Sequence, residues 1–366
     1  MGGGSQTSSN DDSSASSPSS GDGASDATSG GRYARAYLDL LHAYESSADR
    51  ASSLPRLKDV LRSFKPGDWI EFVGGTARAD YVVPETTTLL LVGPRASGKT
   101  SLVNRITRVF EDDDFLPDRA QVSYNPDVSQ GTLFLQEYMI PWNSKSFCIF
   151  DSRSLSMVPC ENFKLLERWM TQGVSHGEMV LRDSDDASTR KRMKTTAARF
   201  GVCQSRSVNF VIFVANALSV LKSMDENDHE YLNLLIETFN HPFLSFRDSK
   251  PVVVVTHGDR LSLSSRARVC AHLGEVLGIP PTKQIFDIPD TGDSVSELAM
   301  MDMLRYSLEH ADRNLPSKFK TPVSLEGQKM LEWTVNRSQT ILDILSCLCI
   351  CILLFQLILS FQAKRR

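Results

Sequence analysis

Apolar residues run along this chain in two rhythms. Tyr37, Leu38, Leu40, Leu41 and Tyr44 recur at helical spacing, and Leu54, Leu57, Val60, Leu61 and Phe64 do so again around Pro55. Each set lies on one face of a helix, so the pattern predicts two helices. Pro66, Gly67 and Asp68 end the second, and residues 69–73 read as a short strand. Beyond residue 85 the rhythm changes to short, mostly apolar runs, at 89–92, 146–150, 209–214, 251–255 and 284–288, the last interrupted by Asp287. Helix-period segments follow several of them, at 99–110, 162–171, 231–240 and 294–308. A strand buried on both faces needs an unbroken apolar run, and strands alternating with helices make parallel sheets. The expected fold is α/β, a doubly wound, mostly parallel sheet with a helical N-terminal extension.

The run at 89–92 leads into Gly93-Pro-Arg95-Ala96-Ser97-Gly98-Lys99-Thr100-Ser101, which fits G-x-x-x-x-G-K-[ST] without a mismatch. A phosphate chain needs several backbone N–H groups aimed at one point. The loop must therefore wrap with little bulk, which glycines at both ends permit. A helix opening near Lys99 adds its unpaired N–H groups and the positive end of its dipole. In such a loop Lys99 reaches the outer phosphates and the Thr100 hydroxyl meets Mg²⁺. The run at 146–150 ends in Asp151, where a carboxylate beside the loop's strand would orient the same cation. Thr132 is a third candidate for Mg²⁺, although spacing alone does not separate it from any loop threonine. Ser152 stands where many ATPase strands carry Glu, which argues against those enzymes.

Composition changes the picture at the two ends. Residues 1–31 are mostly Ser, Gly, Asp, Ala, Asn and Thr and read as a disordered tail with no secretory signal. Gln6 stands where myristoylation of Gly2 wants Ser or Thr. The helical extension spans 32–85 and the α/β domain 86–320, with a polar, charge-rich insertion at 174–207. Its Arg190–Lys194 run reads as a solvated basic face rather than a nuclear address. A linker at 321–340 leads to an apolar segment at 341–362 and the basic end 363–366. That segment carries no charge from Ile344 to Phe361, which is about the length needed to span a bilayer. It is expected to be a C-terminal transmembrane helix, a tail anchor leaving the domain in the cytosol on an organelle surface. Cys347, Cys349 and Cys351 lie inside it, and the other cysteines show neither zinc nor disulfide spacing. A net charge of −4 gives no argument for nucleic acid as a partner.

With the loop at 93–100 and Asp151, the tetrad Thr256-His257-Gly258-Asp259 resembles the base-reading motif [NT]-K-x-D of P-loop GTPases of the Ras-like and translation-factor class. The resemblance implies that Asp259 accepts hydrogen bonds from guanine N1–H and the 2-amino group, with Thr256 in the Asn/Thr position. His257 stands where that family has the lysine covering the base. The implied ligands are GTP or GDP with Mg²⁺. Segments 92–106, 138–141, 168–178, 209–224, 251–269 and 277–289 also look like a plant family described only as P-loop nucleoside triphosphate hydrolases. That likeness spans roughly 89–315. Ser154 occupies the place of the glycine in the family's D-x-x-G, and Leu155 that of the glutamine which orients water. Hydrolysis is therefore expected to be slow, or to depend on an activating protein or a homodimer for the missing group. Two alternatives stay open: a non-hydrolysing nucleotide-binding scaffold on a membrane, and an ATP-using kinase or ATPase.

Overall fold

The computed structural model describes residues 23–72, 75–111, 117–121, 131–197, 203–226, 228–246 and 249–318, with the side chains of 23–30 and 197 left aside. The elements in chain order are α1 (Gly23–Arg50), α2 (Leu54–Ser63), β1 (Thr87–Val92), α3 (Lys99–Glu111), β2 (Gln136–Ile140), β3 (Phe147–Asp151), α4 (Pro159–Gln172) and α5 (Ala187–Ala197). They continue with β4 (Phe210–Asn216), α6 (Ala217–Asp225), α7 (Glu230–Phe239), β5 (Val252–Thr256), α8 (Leu263–Leu277), α9 (Pro281–Gln284), β6 (Ile285–Asp287) and α10 (Ser294–Arg313). The six strands form one sheet in the order β2-β3-β1-β4-β5-β6. Every pairing is parallel except β2 with β3. This is an α/β fold on a mostly parallel sheet.

Strand side chains alternate between faces, so each apolar run divides between two cores. Leu90, Val92, Phe150, Val211, Phe213, Val253 and Val255 pack on one face with α1, α4, α7 and α8. Leu89, Leu91, Phe147, Ile149, Phe210, Ile212, Val252 and Val254 pack on the other with α2, α3 and α10. Covered on both sides, the central strands tolerate no polar alternation, which is why their sequence is continuous. The N-terminal helices cover both faces in turn, α1 lying on α8 and α2 on α10.

The structure departs from the sequence reading at several points. Helix α1 begins at Gly23, inside the stretch assigned to the tail. Residues 69–72 form no strand. A turn at 66–69 is held instead by the buried Asp312 carboxylate, which accepts from Gly67 N at 2.9 Å and Trp69 N at 3.0 Å. Helix α6 and the antiparallel edge strand β2 escaped notice. The first is one short helix set directly against a strand; the second is polar enough, at Gln136 and Glu137, to resemble a loop. Among the described residues no helix is long and apolar enough to cross a membrane. The segment 341–362, where the span is expected, lies outside the described residues, as do most of the tail and the linker.

Candidate nucleotide-binding site

The loops that leave the C-terminal ends of β1, β3 and β5 meet at one edge of the sheet. The first, 93–98, is fixed by its two glycines. A Cβ on Gly93 would lie 2.2 Å from Val214 O, so only glycine lets β1 and β4 stay paired as the chain turns. Gly98 has φ +81°, a left-handed conformation that side chains rarely adopt. Ala96 is also left-handed, at φ +57°, and is held by Asn216 Nδ2 donating to its carbonyl at 3.0 Å. Arg95 stands exposed at the tip while Ser97 is buried. Helix α3 starts at Lys99, so the N–H groups of its first turn, which includes Thr100 and Ser101, have no acceptor within the helix.

Lys99 is 6 % exposed and its Nζ donates to Gly93 O at 2.8 Å and Pro94 O at 2.9 Å. Burial lowers its pKa to about 8. Asp151 opposes that fall and Arg182 adds to it. Asp151 is fully buried. Its Oδ2 accepts from Thr100 Oγ1 at 2.7 Å and from Thr132 Oγ1 at 3.2 Å, and the two hydroxyl oxygens are 3.4 Å apart. Its Oδ1 is buried with no hydrogen-bond partner among the described residues. Burial raises the Asp151 pKa, a rise that the Lys99 charge and the two hydroxyls limit. Thr132, which spacing could not select, is thus brought onto the carboxylate together with Thr100. Three oxygen groups and one orphaned buried carboxylate oxygen suit a hard divalent cation of the Mg²⁺ type. Among the described residues no group of three or more His, Cys, Asp or Glu side chains could hold a metal ion.

The loop after β5 is tied to the first. Thr256 Oγ1 donates to Ser97 O at 2.9 Å and lies 2.8 Å from His257 Nδ1. His257 is left-handed at φ +60°, and its ring edge lies 3.4 Å from the point a Cβ of Gly98 would occupy. The imidazole therefore covers the phosphate-type loop from the side. Asp259 is exposed, its Oδ1 accepting from Asp290 N at 3.3 Å. Beneath the tetrad lies Asp287, whose Oδ2 accepts from Tyr44 Oη at 2.7 Å and Arg266 Nε at 2.6 Å. Its other oxygen is 2.7 Å from where a Gly258 Cβ would stand, so the tetrad's glycine is needed for this close approach. Sequence reasoning missed Asp287. Its only signal was a carboxylate ending an apolar run, the same signal that marked Asp151.

The loop after β3 departs furthest from expectation. Ser152 Oγ donates to Leu91 O at 2.6 Å, and Leu155 N donates to Gly93 O at 3.0 Å, so this segment leans on the first loop. The Leu155 side chain lies in the core. Arg153 forms a two-pronged ion pair with Asp185, its Nη1 donating to Oδ2 at 2.7 Å and its Nη2 to Oδ1 at 2.5 Å, and both side chains are nearly enclosed. Asp185 belongs to the polar insertion. That insertion is not a solvated face: Val180 N donates to Leu133 O at 3.1 Å and Leu135 N to Glu178 O at 2.9 Å. Met193 of α5 is buried against Leu133 and Phe134, and Arg190 donates to the carbonyls of Arg182, Asp183 and Asp185. Lys191, Arg192 and Lys194 alone of the basic run are exposed. The insertion thus grips both the segment beside Thr132 and the one after Asp151. A groove of about 560 Å³ between α2 and α10, lined by Arg50, Leu57, Trp69, Asp302 and Arg305 among others, shares no residue with this site. Compared with known proteins, the chain matches no family model and no curated protein.

Proposed function

We propose that this chain is a membrane-anchored guanine-nucleotide-binding protein that hydrolyses GTP slowly or with a partner's help. The observation that carries the reading is the convergence of Thr100 and Thr132 on Asp151, whose second oxygen is buried and unpaired, beside Lys99 in a loop whose conformation demands its glycines. Thr100, Thr132 and Asp151 are the groups that would hold Mg²⁺. Bound there, the ion would neutralise charge on the outer phosphates. Lys99 would exchange its two carbonyl acceptors for phosphate oxygens, gaining a charged partner for a buried ammonium. The N–H groups of 97–101 would cradle the phosphate chain. Asp259 would accept from the guanine edge, and the Thr256 contact to Ser97 sets the distance between base and phosphates. The P-loop pattern, the strand order and the tetrad at the end of β5 support the same reading.

Leu155 favours the slow form of the reaction. With its side chain in the core it cannot orient a water, and that observation also supports the rival reading of a scaffold that binds nucleotide without turnover. The anchor rests on the sequence of 341–362, outside the described residues, and places the nucleotide domain in the cytosol on an organelle membrane.

The test is equilibrium binding of labelled GTP to the full-length chain in detergent, with Mg²⁺ and with a chelator. Mg²⁺-dependent binding that excess ATP does not displace, and that Lys99→Ala abolishes, is the expected result. Indifference to guanine nucleotides overturns the reading. Single-turnover hydrolysis, alone and with membrane extract, separates a switch from a scaffold. A chain that stays in aqueous solution with residues 341–366 intact would refute the anchor.

A further inference from the structure

Arg182 brings to the site a charge that the sequence reading did not place there. It stands in the insertion between the residues paired with Leu133 and the start of α5. Its Nη2 donates to Ser154 O. Ser154 immediately precedes Leu155, whose N–H is on the Gly93 carbonyl, so the guanidinium hangs one residue from the glycine loop. The Lys99 ammonium donates to that same Gly93 carbonyl at 2.8 Å. Burial lowers the Arg182 pKa, to about 10, and Arg153 lowers it further.

The surrounding acceptors are already committed. Glu161 accepts from Ser156 Oγ and from Ser184 N and Oγ. Asp185 accepts from Arg153 and from the Arg182 backbone N–H. The Arg182 Nε is buried with no hydrogen-bond partner among the described residues. A buried charged donor without an acceptor is costly, and cations gathered around one loop repel. An anion lying between Lys99 and Arg182 removes both penalties at once.

We propose that Arg182 is a ligand of the nucleotide's terminal phosphate, supplied by the insertion of the same chain. The inference rests on the nucleotide reading given above and deepens it. In hydrolysis a water oxygen bonds to the terminal phosphorus, and the bond from that phosphorus to the bridging oxygen breaks with its electron pair leaving on GDP; one water proton stays on the inorganic phosphate and the other passes to a phosphate oxygen or to solvent. Negative charge accumulates on the phosphoryl and bridging oxygens, where a guanidinium is most effective. Arg182 thus gives the site charge stabilisation, though not the water-orienting role that the buried Leu155 leaves unfilled. The same contact makes the protein distinguish GTP from GDP, because GDP has no terminal phosphate for Arg182 to meet.

The test compares full-length wild type, Arg182→Ala and Arg182→Lys, each titrated with labelled GTP and labelled GDP in Mg²⁺ and assayed for single-turnover GTP hydrolysis. Removing a charged hydrogen bond should weaken GTP binding about 10- to 100-fold in Arg182→Ala while GDP affinity stays within roughly threefold. Turnover should fall at least as far, and lysine should restore part of both. Retained GDP binding also reports that the variant is folded. Equal losses for GTP and GDP would mean that Arg182 only holds the Ser154 carbonyl, and unchanged values would give it no role; either result overturns the inference and leaves the nucleotide reading standing. A wild type that binds neither nucleotide overturns both.

Discussion

Lys99 offers the sharpest quantitative consequence of this site. Its ammonium is enclosed, offset by two carbonyls and the nearby Asp151, and its pKa falls from 10.5 to about 8. A difference of that size corresponds to about 3 kcal/mol held against the charged form. The sign follows from proton counts. Below about pH 8 both the folded and the unfolded chain carry the proton, so the folded state bears the whole cost. Above it the folded chain releases the proton while the unfolded chain keeps it until about 10.5, so stability of the nucleotide-free protein rises with pH through this window. Between about pH 7.5 and about pH 9.5 the Lys99 contribution is about 2 kcal/mol. For a domain of this size that is a rise in melting temperature of roughly 4–8 °C. Other groups titrate over the same range, so the measurement is the difference between wild type and Lys99→Met in calorimetric or fluorescence melts of the nucleotide-free chain. The variant should lack the rise. Nucleotide phosphates need the charged amine, so GTP affinity should run the opposite way, falling about tenfold per pH unit above pH 8. Parallel pH profiles in wild type and Lys99→Met would refute the argument, because they would mean that the amine is solvated in the folded protein.

Three further perturbations probe the rest of the cluster. Asp185→Ala leaves the enclosed Arg153 guanidinium without its partner and should cost about 3 kcal/mol, the lower end for a buried pair because Asp183 and Asp186 beside it are exposed. The double replacement Arg153→Met, Asp185→Leu should recover most of that loss in a melting experiment, and a drop as deep as that of Asp185→Ala would refute the account. Thr132→Val removes one hydroxyl from Asp151 while keeping the shape. It should reduce GTP affinity about tenfold in Mg²⁺ and leave the chelator value unchanged; an equal loss in both would deny Thr132 a part at the cation. Asp259→Asn exchanges two acceptors for a donor and an acceptor, so preference should move from guanine toward xanthine nucleotides in competition binding, and an unshifted preference would remove Asp259 from base reading.

What the sequence disclosed and what it withheld divide along a physical line. Leu89–Val92 and Val252–Val255 are apolar because both faces of their strands are covered, and Gly93 and Gly98 are glycines because a Cβ would strike Val214 or strain a left-handed turn. Such demands act within a few residues, so they were legible. Thr132, Arg182 and Asp185 answer to partners far along the chain, and no local rule separates them from any solvated polar residue. The insertion's apolar anchors, Val174, Met179, Val180 and Met193, are too few and too widely spaced to register as an element. Yet it hydrogen-bonds to the segment beside Thr132, pairs Asp185 with Arg153 and hangs Arg182 on Ser154. If the site holds a nucleotide as proposed, the two segments that would face its phosphates are braced by one piece of chain. Loss of a terminal phosphate at one segment would then be transmitted to the other through the insertion. On the proposed reading, the polar, charge-rich insertion is where a change of nucleotide would become a change of shape.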